Sequence, residues 1–171
     1  MKVKKESFSA KSLAKETSIH KYSIEESIMT DKPSPYSYRV KSITRIIDGD
    51  TFDCIMDLGF DVLLEARVRM YGIDTEESRT RDLEEKKFGL LAKKWLVEHL
   101  EGVEDIIIST ELDNEKGKFG RVLGTVWAEG TNINIKMIDE HMAVAYHGQA
   151  KSDIEAEHLQ NRELLKEQGK I

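Results

Sequence analysis

The stretch YRVKSITRIIDGDTFDCIMDLGFDVLLEARVRMY (residues 38–71) contains three runs of strand-forming residues separated by two turn sequences. The first turn, Asp48-Gly49-Asp50, is a strong hairpin signal because Asp-Gly joins two β-rich runs. The second turn is LGFD (58–61). In the third run aliphatic residues alternate with charged ones, which predicts that Arg67 and Arg69 share one face. The aliphatic face would consist of Val62, Leu64, Ala66, Val68 and Met70. The stretch predicts a three-stranded meander.

The hydrophobic period changes after this meander. Asp82 and Glu85 have the spacing of a capping box, and apolar residues then recur on one helical face as far as Gly102. The β-branched run 106–108 predicts a fourth strand, and residues 119–128 predict a fifth. The apolar face of this first helix would carry Phe88, Leu91, Ala92, Trp95, Leu96 and His99.

Two further helices are predicted towards the carboxyl end. Asn132 is placed to cap a short second helix, and the sequence SDIE (152–155) is placed to cap a third that ends near Gly169. The short helix would carry Ile135, Ile138 and Met142 on its apolar face. The element order is therefore βββαββαα. This order favours an α+β, mainly β fold: a five-stranded Greek-key barrel of the OB type with three helices. Because side chains fill such a barrel, a functional site must lie on its outer face and loops.

Composition excludes several classes of protein. The chain has 171 residues, of which 39% are hydrophobic and 34% charged, so it is too apolar for wholesale disorder. With 26 Lys and Arg against 32 Asp and Glu, its net charge of −6 excludes coating of nucleic acid by bulk electrostatics. A lone cysteine, Cys54, excludes an internal disulfide and a multi-thiolate zinc site. Its apolar neighbours predict a buried thiol.

No apolar run suits an export signal or a membrane span, and a cytoplasmic location is expected.

The amino-terminal segment differs in composition from the rest. Residues 1–36 carry a small excess of lysine over acids, contain both prolines, and lack a sustained apolar period. We predict a flexible basic extension over residues 1–36, with a short helix at residues 23–29 as an option, followed by one domain over residues 37–171.

Two clusters of polar residues suggest chemistry. Asp48 and Asp50 place two carboxylates on a tight turn, which suits a hard cation, although a hairpin with solvated acids is the alternative. Arg69, Asp74 and Glu77, at the end of the third strand, supply a charge clamp, a metal ligand and a base for phosphodiester cleavage. The alternative for this second cluster is an ion-paired rim.

A third cluster, KFGR (118–121), supplies a second guanidinium. Two arginines suit a phosphate because each planar fork donates bidentate, charge-assisted hydrogen bonds. A salt-bridged surface residue is the alternative for Arg121.

Together the motifs DGDT (48–51), RMYGIDTEE (69–77), FGLLA (88–92) and FGR (119–121) resemble, in unbroken order, those of the staphylococcal nuclease family. The resemblance covers about residues 38–171. It implies an OB barrel with three helices, in agreement with the element order above. It also implies calcium-dependent hydrolysis of DNA or RNA with little sequence specificity.

The resemblance implies a role for each motif residue. One Ca²⁺ ion, with Mg²⁺ or Mn²⁺ as alternatives, would be held by Asp50, Asp74 and the carbonyl of Thr75. Glu77 would orient the attacking water or take its proton. The two arginines that grip phosphate and stabilise the transition state would be Arg69 and Arg121.

This chain also departs from the family pattern. Glu76 stands where a proline is usual, which removes a rigid turn and adds a charge beside the catalytic glutamate. Phe119 replaces a tyrosine, so base or sugar packing is retained without a hydroxyl contact. Tyr146 matches a base-stacking tyrosine, with a core tyrosine as the alternative, and Asp48 would lie behind the metal ligands. His141 stands where the second helix commonly ends with glycine.

Three functions follow as hypotheses. The first is a monomeric nuclease acting on DNA and RNA with little sequence preference, because the sequence offers phosphate clamps and one stacking ring but no groove-entering element. Single-stranded or frayed substrates are expected to be preferred. The second is a non-catalytic binding module or protein scaffold, which has no need to retain the acids and arginines together. The third is a partner-binding protein that works through residues 1–36. A nuclease without an export signal also raises a virus-encoded or otherwise timed enzyme as an option.

Overall fold

A computed structural model of the chain describes residues 36–111 and 121–171, which belong to one compact unit, Ser34–Ile171. Several predictions concern residues outside these ranges. They are the extension over residues 1–36 apart from Tyr36, the optional helix at 23–29, the beginning of the predicted fifth strand, and Phe119. The boundary between extension and domain stays a prediction.

The described residues form eight strands and three helices. The strands are β1 (Ser37–Asp48), β2 (Thr51–Asp57), β3 (Leu63–Met70), β4 (Ile73–Asp74), β5 (Ile106–Thr110), β6 (Val122–Ala128), β7 (Thr131–Asn132) and β8 (Val144–Ala145). The helices are α1 (Leu83–Leu100), α2 (Ile133–Asp139) and α3 (Lys151–Glu167). Among residues 36–111 and 121–171, no helix combines the length and apolarity needed to cross a membrane.

The five long strands close into a barrel. They pair in the order β3-β2-β1-β5-β6, and a parallel pairing of β3 with β6 joins the two ends, with Arg69 opposite Leu123. The predicted fold class, an OB-type barrel with three helices in the order βββαββαα, is confirmed. The two-residue strands β4, β7 and β8 were not predicted, because a pair of residues carries no periodicity. The pairing of β4 with β8 nevertheless brings the chain after β3 against the chain after α2.

The hairpins follow the predicted turns, with one difference in β3. β1 ends at Asp48 and β2 begins at Thr51, as the Asp-Gly signal requires. In β3 the buried residues are Val68 and Met70, whereas Leu64 is exposed, like Val62 before the strand. The predicted aliphatic face was therefore wrong for Val62 and Leu64, which lie towards the turn end of the β2–β3 hairpin.

α1 covers the core as its period predicts. Asp82 caps it, since its Oδ1 accepts hydrogen bonds from the backbone N–H groups of Glu84 (2.8 Å) and Glu85 (3.2 Å). The helix buries a stripe of side chains that consists of Phe88, Ala92, Trp95, Leu96 and Leu100. Cys54 is fully buried among the core residues, as predicted.

The shorter helices agree with prediction in part. Asn132 caps α2 through a 3.1 Å hydrogen bond from Ile135 N–H, but the Ile135 side chain is exposed, so that core assignment was wrong. α2 has only seven residues, and the side chains that it buries are Ile133, Asn134 and Met137. α3 begins at Lys151, with Ala150 at the cap position and no side-chain cap. The predicted SDIE cap was therefore wrong, because the first turn already includes these residues.

Candidate active site

The β1–β2 turn is tied to the loop after β4 through Asp50. This carboxylate is only 3% exposed and accepts hydrogen bonds from Thr51 Oγ1 (2.8 Å), Thr75 Oγ1 (3.2 Å) and the Thr75 backbone N–H (3.2 Å). A buried carboxylate must be compensated in this way, since an unpaired one is costly to desolvate. The alternative of a hairpin turn with solvated acids is therefore wrong for Asp50, whose side chain is buried.

Asp48 holds the same loop at a second point. Its Oδ1 accepts hydrogen bonds from the backbone N–H groups of Gly49 (3.0 Å) and Ser78 (3.2 Å). A Cβ at Gly49 would lie 2.9 Å from both Ala92 Cβ and Thr75 Oγ1, so glycine allows turn, loop and helix to meet. Asp48 therefore fixes the backbone of the β1–β2 turn and of the loop at Ser78.

Arg69 joins Asp50 of the β1–β2 turn to Asp74 of β4. It extends from the end of β3, and its guanidinium pairs with Asp50 through Nη1 and with Asp74 Oδ1 through Nη2 at 2.7 Å. Nη2 also lies 3.3 Å from the carbonyl oxygen of Ile73. Asp50 and Asp74, distant in sequence, therefore meet on a single guanidinium.

The electrostatic environment of Arg69 shows what else lies near it. Burial lowers the pKa of Arg69 below its ordinary value, and the positive charge of Arg121 lowers this pKa further. The negative charges of Asp74 and Glu77 oppose that effect. Arg121 is half-buried and directly precedes β6, the strand that pairs with β3. Arg121 and Glu77 thus both lie within electrostatic range of Arg69.

Asp74 has a partner that the sequence analysis missed. Its Oδ2 lies 3.2 Å from Nε2 of His158 on α3, while its Oδ1 faces Arg69. Burial opposes ionisation of Asp74, but the hydrogen bonds and charges of His158 and Arg69 outweigh it. The pKa of Asp74 therefore lies below its ordinary value. Sequence reasoning could not find His158, because a single histidine without metal-ligand spacing carries no local signal.

The next two acids have contrasting environments. Glu76, the residue in place of the family's proline, accepts a 2.6 Å hydrogen bond from Arg162 Nε, and this bond raises the pKa of Arg162. The Glu77 side chain is 55% exposed and lies 3.9 Å from Lys151 Nζ. The charge added at position 76 is thus paired inside the protein, whereas Glu77 faces solvent.

The loop carrying both glutamates rests on α1. A Cβ at Gly89 would lie 2.5 Å from the carbonyl carbon of Glu77 and from the backbone nitrogen of Ser78, and 2.7 Å from the carbonyl oxygen of Glu76. Such approaches are far inside ordinary contact, so only glycine fits here. This is a structural reason for the FGLLA motif.

Of the two residues predicted to contact the substrate, Tyr146 and Phe119, the structure describes only Tyr146. Tyr146 is half-buried and its N–H donates to the Gly72 carbonyl (2.8 Å), which brings it beside the turn before Asp74. Phe119 lies outside the described residues. His141 has the positive φ of 63° that its position after α2 requires. A cavity of about 350 Å³ opens between residues 74–77 and α3.

The donor set is compatible with a hard cation. Among residues 36–111 and 121–171, no group of three or more His, Cys, Asp or Glu side chains is arranged to hold a metal. Asp50, Asp74 and the Thr75 carbonyl nevertheless offer oxygen donors alone, as hard divalent cations prefer. Arg69 already pairs with both carboxylates, so a cation and this guanidinium are alternative partners for them.

Comparison with known proteins gives concordant results. The family described as staphylococcal nuclease homologue matches residues 67–170, more than half of the chain. A thermonuclease of Staphylococcus intermedius is 36% identical over 110 residues, which cover 64% of this chain and 59% of that protein. Protein ParB of Escherichia coli is 33% identical over 119 residues, covering 63% of this chain and 59% of ParB. The chain thus spans about three-fifths of the length of each of these relatives.

Proposed function

The chain belongs to the staphylococcal nuclease homologue family, and we propose that it is a divalent-metal-dependent nuclease that hydrolyses DNA or RNA with little sequence specificity. The observation that carries this proposal is the meeting of Asp50 and Asp74 on the guanidinium of Arg69. Two acids from separate parts of the chain, gathered beside a largely buried arginine, suit phosphoryl chemistry better than an ion-paired rim does.

The proposed metal is Ca²⁺, with Mg²⁺ or Mn²⁺ as alternatives, and Asp50, Asp74 and the Thr75 carbonyl would hold it. The ion would supply positive charge to a phosphate oxygen and lower the pKa of a bound water. Without a cation the two carboxylates repel phosphate and engage Arg69. The proposal therefore includes a strict requirement for divalent metal.

The arginines stabilise charge on the phosphate. Arg69 and Arg121 donate charge-assisted hydrogen bonds to the phosphate oxygens and neutralise the charge that develops as water attacks phosphorus. Partial burial strengthens such bonds, because fewer water dipoles screen them. Both residues belong to or border strands of the closed barrel, so their backbones are fixed before substrate binds.

Glu77 acts on the nucleophile. Its exposed carboxylate is accessible to solvent water, and it either orients the attacking molecule or takes its proton. The new bond joins the water oxygen to phosphorus, and the bond that breaks joins phosphorus to the leaving ester oxygen. The leaving oxygen takes a proton from solvent, and the proton released by the attacking water passes to solvent, directly or through Glu77. A general base in this position contributes about 10²- to 10⁴-fold to the rate.

The expected substrates are single-stranded or frayed DNA and RNA. Phosphate contacts carry no sequence information, and stacking on Tyr146, together with Phe119, tolerates every base. The net charge of −6 also argues against long-range capture of a duplex. We expect the protein to act as a monomer.

A non-catalytic binding module is the second candidate. The engagement of Arg69 by two carboxylates favours it, because a guanidinium held in this way does not need a metal to be stable. The two candidates differ in whether a divalent ion displaces that pairing.

The deciding experiment incubates the purified protein with single-stranded DNA and Ca²⁺, Mg²⁺ or a chelator. We expect cleavage that the chelator abolishes and that falls on the order of 10²- to 10³-fold or more in Glu77→Gln and Arg69→Ala. Glu98→Gln, on the exposed side of α1, is the matched control and should keep full activity. Binding without cleavage would establish the non-catalytic module. Cleavage that ignores both chelator and substitutions would identify a contaminating enzyme.

A further inference from the structure

α3 presents a basic stripe to the loop 74–77. The stripe consists of Lys151, His158 and Arg162. These residues are separated by seven and four positions, so they lie on one face of the helix. Each one contacts a different acid of the loop: Lys151 contacts Glu77 at 3.9 Å, His158 contacts Asp74 at 3.2 Å, and Arg162 contacts Glu76 at 2.6 Å. The charge pattern of the helix thus matches that of the loop.

The central contact is sheltered from solvent. The side chains of Arg162 and Glu76 are 17% and 11% exposed, and His158 Nδ1 lies 3.8 Å from the same Glu76 oxygen. The Arg162 guanidinium also lies 5.5 Å from the centre of the Phe88 ring, so it is enclosed between the loop and α1. Removing one member of such a pair leaves the other desolvated and unpaired, so the pair fixes the loop firmly.

The outer contact is different. Lys151 and Glu77 are mostly exposed, and their 3.9 Å separation is at the limit of an ion pair. Exposed pairs of this kind contribute little, because water and salt screen them. The helix therefore holds position 76 and leaves the Glu77 carboxylate accessible.

We propose that Arg162 and His158 are positioning residues: they hold Glu76 and Asp74 so that the loop presents Glu77 towards the phosphate site. This inference rests on the proposed nuclease function. On the inner side, Asp50 binds the N–H of Thr75 and Asp48 binds that of Ser78. Arg162 adds a point of attachment at Glu76, between these two amides. Without it, the chain between two fixed amides can bulge outward.

The test compares Arg162→Met with Lys166→Met. Lys166 lies on the same helix and forms ion pairs with Glu84 and Glu163, but neither partner belongs to the loop. In Arg162→Met we expect kcat to fall roughly 10- to 100-fold with KM within about threefold of wild type, since small misplacements act on the transition state. Lys166→Met should match wild type, and Arg162→Lys should recover part of the loss.

A double mutant identifies the partner. Glu76→Gln should reproduce the loss of kcat, and Arg162→Met in that background should add little, because both changes break one contact. Glu76→Gln is nearly isosteric, so it carries the test if Arg162→Met does not fold. Additive losses, or a kcat in Arg162→Met and Glu76→Gln equal to that of Lys166→Met, would overturn the inference.

Failure of the proposed function is recognised separately. If wild-type protein cleaves nothing with any divalent metal, the nuclease proposal is wrong, and the loop attachment is tested by amide hydrogen exchange. The Thr75 and Ser78 amides should exchange faster in Arg162→Met than in Lys166→Met. Equal exchange in the two variants would overturn the attachment itself.

Discussion

Replacing Gly89 by alanine perturbs the contact between α1 and the loop that carries Glu77. The added Cβ would lie 2.5 Å from Glu77 C and from Ser78 N, both of them backbone atoms that cannot rotate away. Ordinary Cβ contacts begin near 3.4 Å, so the loop must move outward by roughly 0.9 Å. The change is small in volume but is aimed directly at the candidate active site.

Two effects on the free energy of unfolding oppose each other in Gly89→Ala: the higher helix propensity of alanine and the overpacking of the loop. In an exposed helix interior, alanine is more favourable than glycine by about 1 kcal/mol. Overpacking of a close contact costs about 1–3 kcal/mol. For Gly89→Ala we therefore expect the free energy of unfolding to fall by between about 0 and 2 kcal/mol. A displacement near 1 Å at a catalytic group should also lower kcat on the order of 10²-fold.

Two measurements check this prediction: urea unfolding, and the initial rate of metal-dependent cleavage of single-stranded DNA. Leu90→Ala is the matched control, because Leu90 is the adjacent exposed residue of α1 and should keep wild-type kcat. If Gly89→Ala is more stable than wild type by about 1 kcal/mol, as propensity alone predicts, and retains full kcat, the loop does not rest on the helix.

Three other perturbations have definite expected outcomes. Asp50→Asn should abolish the rise in Tm that Ca²⁺ produces, whereas Asp61→Asn, in the exposed β2–β3 turn, should retain it; an equal rise in both, by scanning fluorimetry, would place the ion elsewhere. Ca²⁺ should tighten binding of a non-hydrolysable oligonucleotide by about 5- to 150-fold in calorimetry, because carboxylates occupy Arg69 without it; identical affinities would exclude this coupling. Burial raises the pKa of the Cys54 thiol to about 11 in the folded protein. In the unfolded chain the thiol has its ordinary pKa of about 8.5, so it ionises first as the pH rises. The folded state therefore loses stability as the pH rises from the unfolded pKa to the folded one. Relative to Cys54→Ala, wild type should lose about 1–2 kcal/mol between about pH 8 and 10 in urea unfolding, and parallel curves would contradict this.

Local patterns predicted the parts of the fold that local forces determine. Asp-Gly fixed the β1–β2 hairpin, and the period of 3.6 together with Asp82 fixed the start and buried face of α1. The start of α3 was predicted wrongly, because cap preferences are weak and Ala150 serves without a side-chain bond. Closure of the barrel by β3 and β6 is a long-range pairing, so the sequence supported it only through fold-level analogy.

The residues of the candidate site also differ in whether local sequence reveals them. Asp50, Asp74 and Arg69 belong to compact motifs and could be named from sequence, although their meeting depends on folding. His158 and Arg162 could not, because their partners lie 84 and 86 positions away. The sequence does contain one indication of these contacts: His158 and Arg162, four positions apart on α3, complement the three acids of the loop 74–77. It becomes informative only once helix and loop are known to be neighbours.

Under the proposed function, the charges of the site would explain how an acidic chain accepts a polyanion. Asp50, Asp74 and Glu77 outnumber Arg69 and Arg121 by one unit, so this set of five repels phosphate. One bound divalent cation would change that balance from −1 to +1, and by meeting Asp50 and Asp74 it would also free Arg69 for phosphate. A monovalent cation would leave the set neutral and compete poorly with the guanidinium. Under the proposed function, the metal requirement would therefore follow from reversal of the local charge, and the net charge of −6 would need to be overcome only at this site.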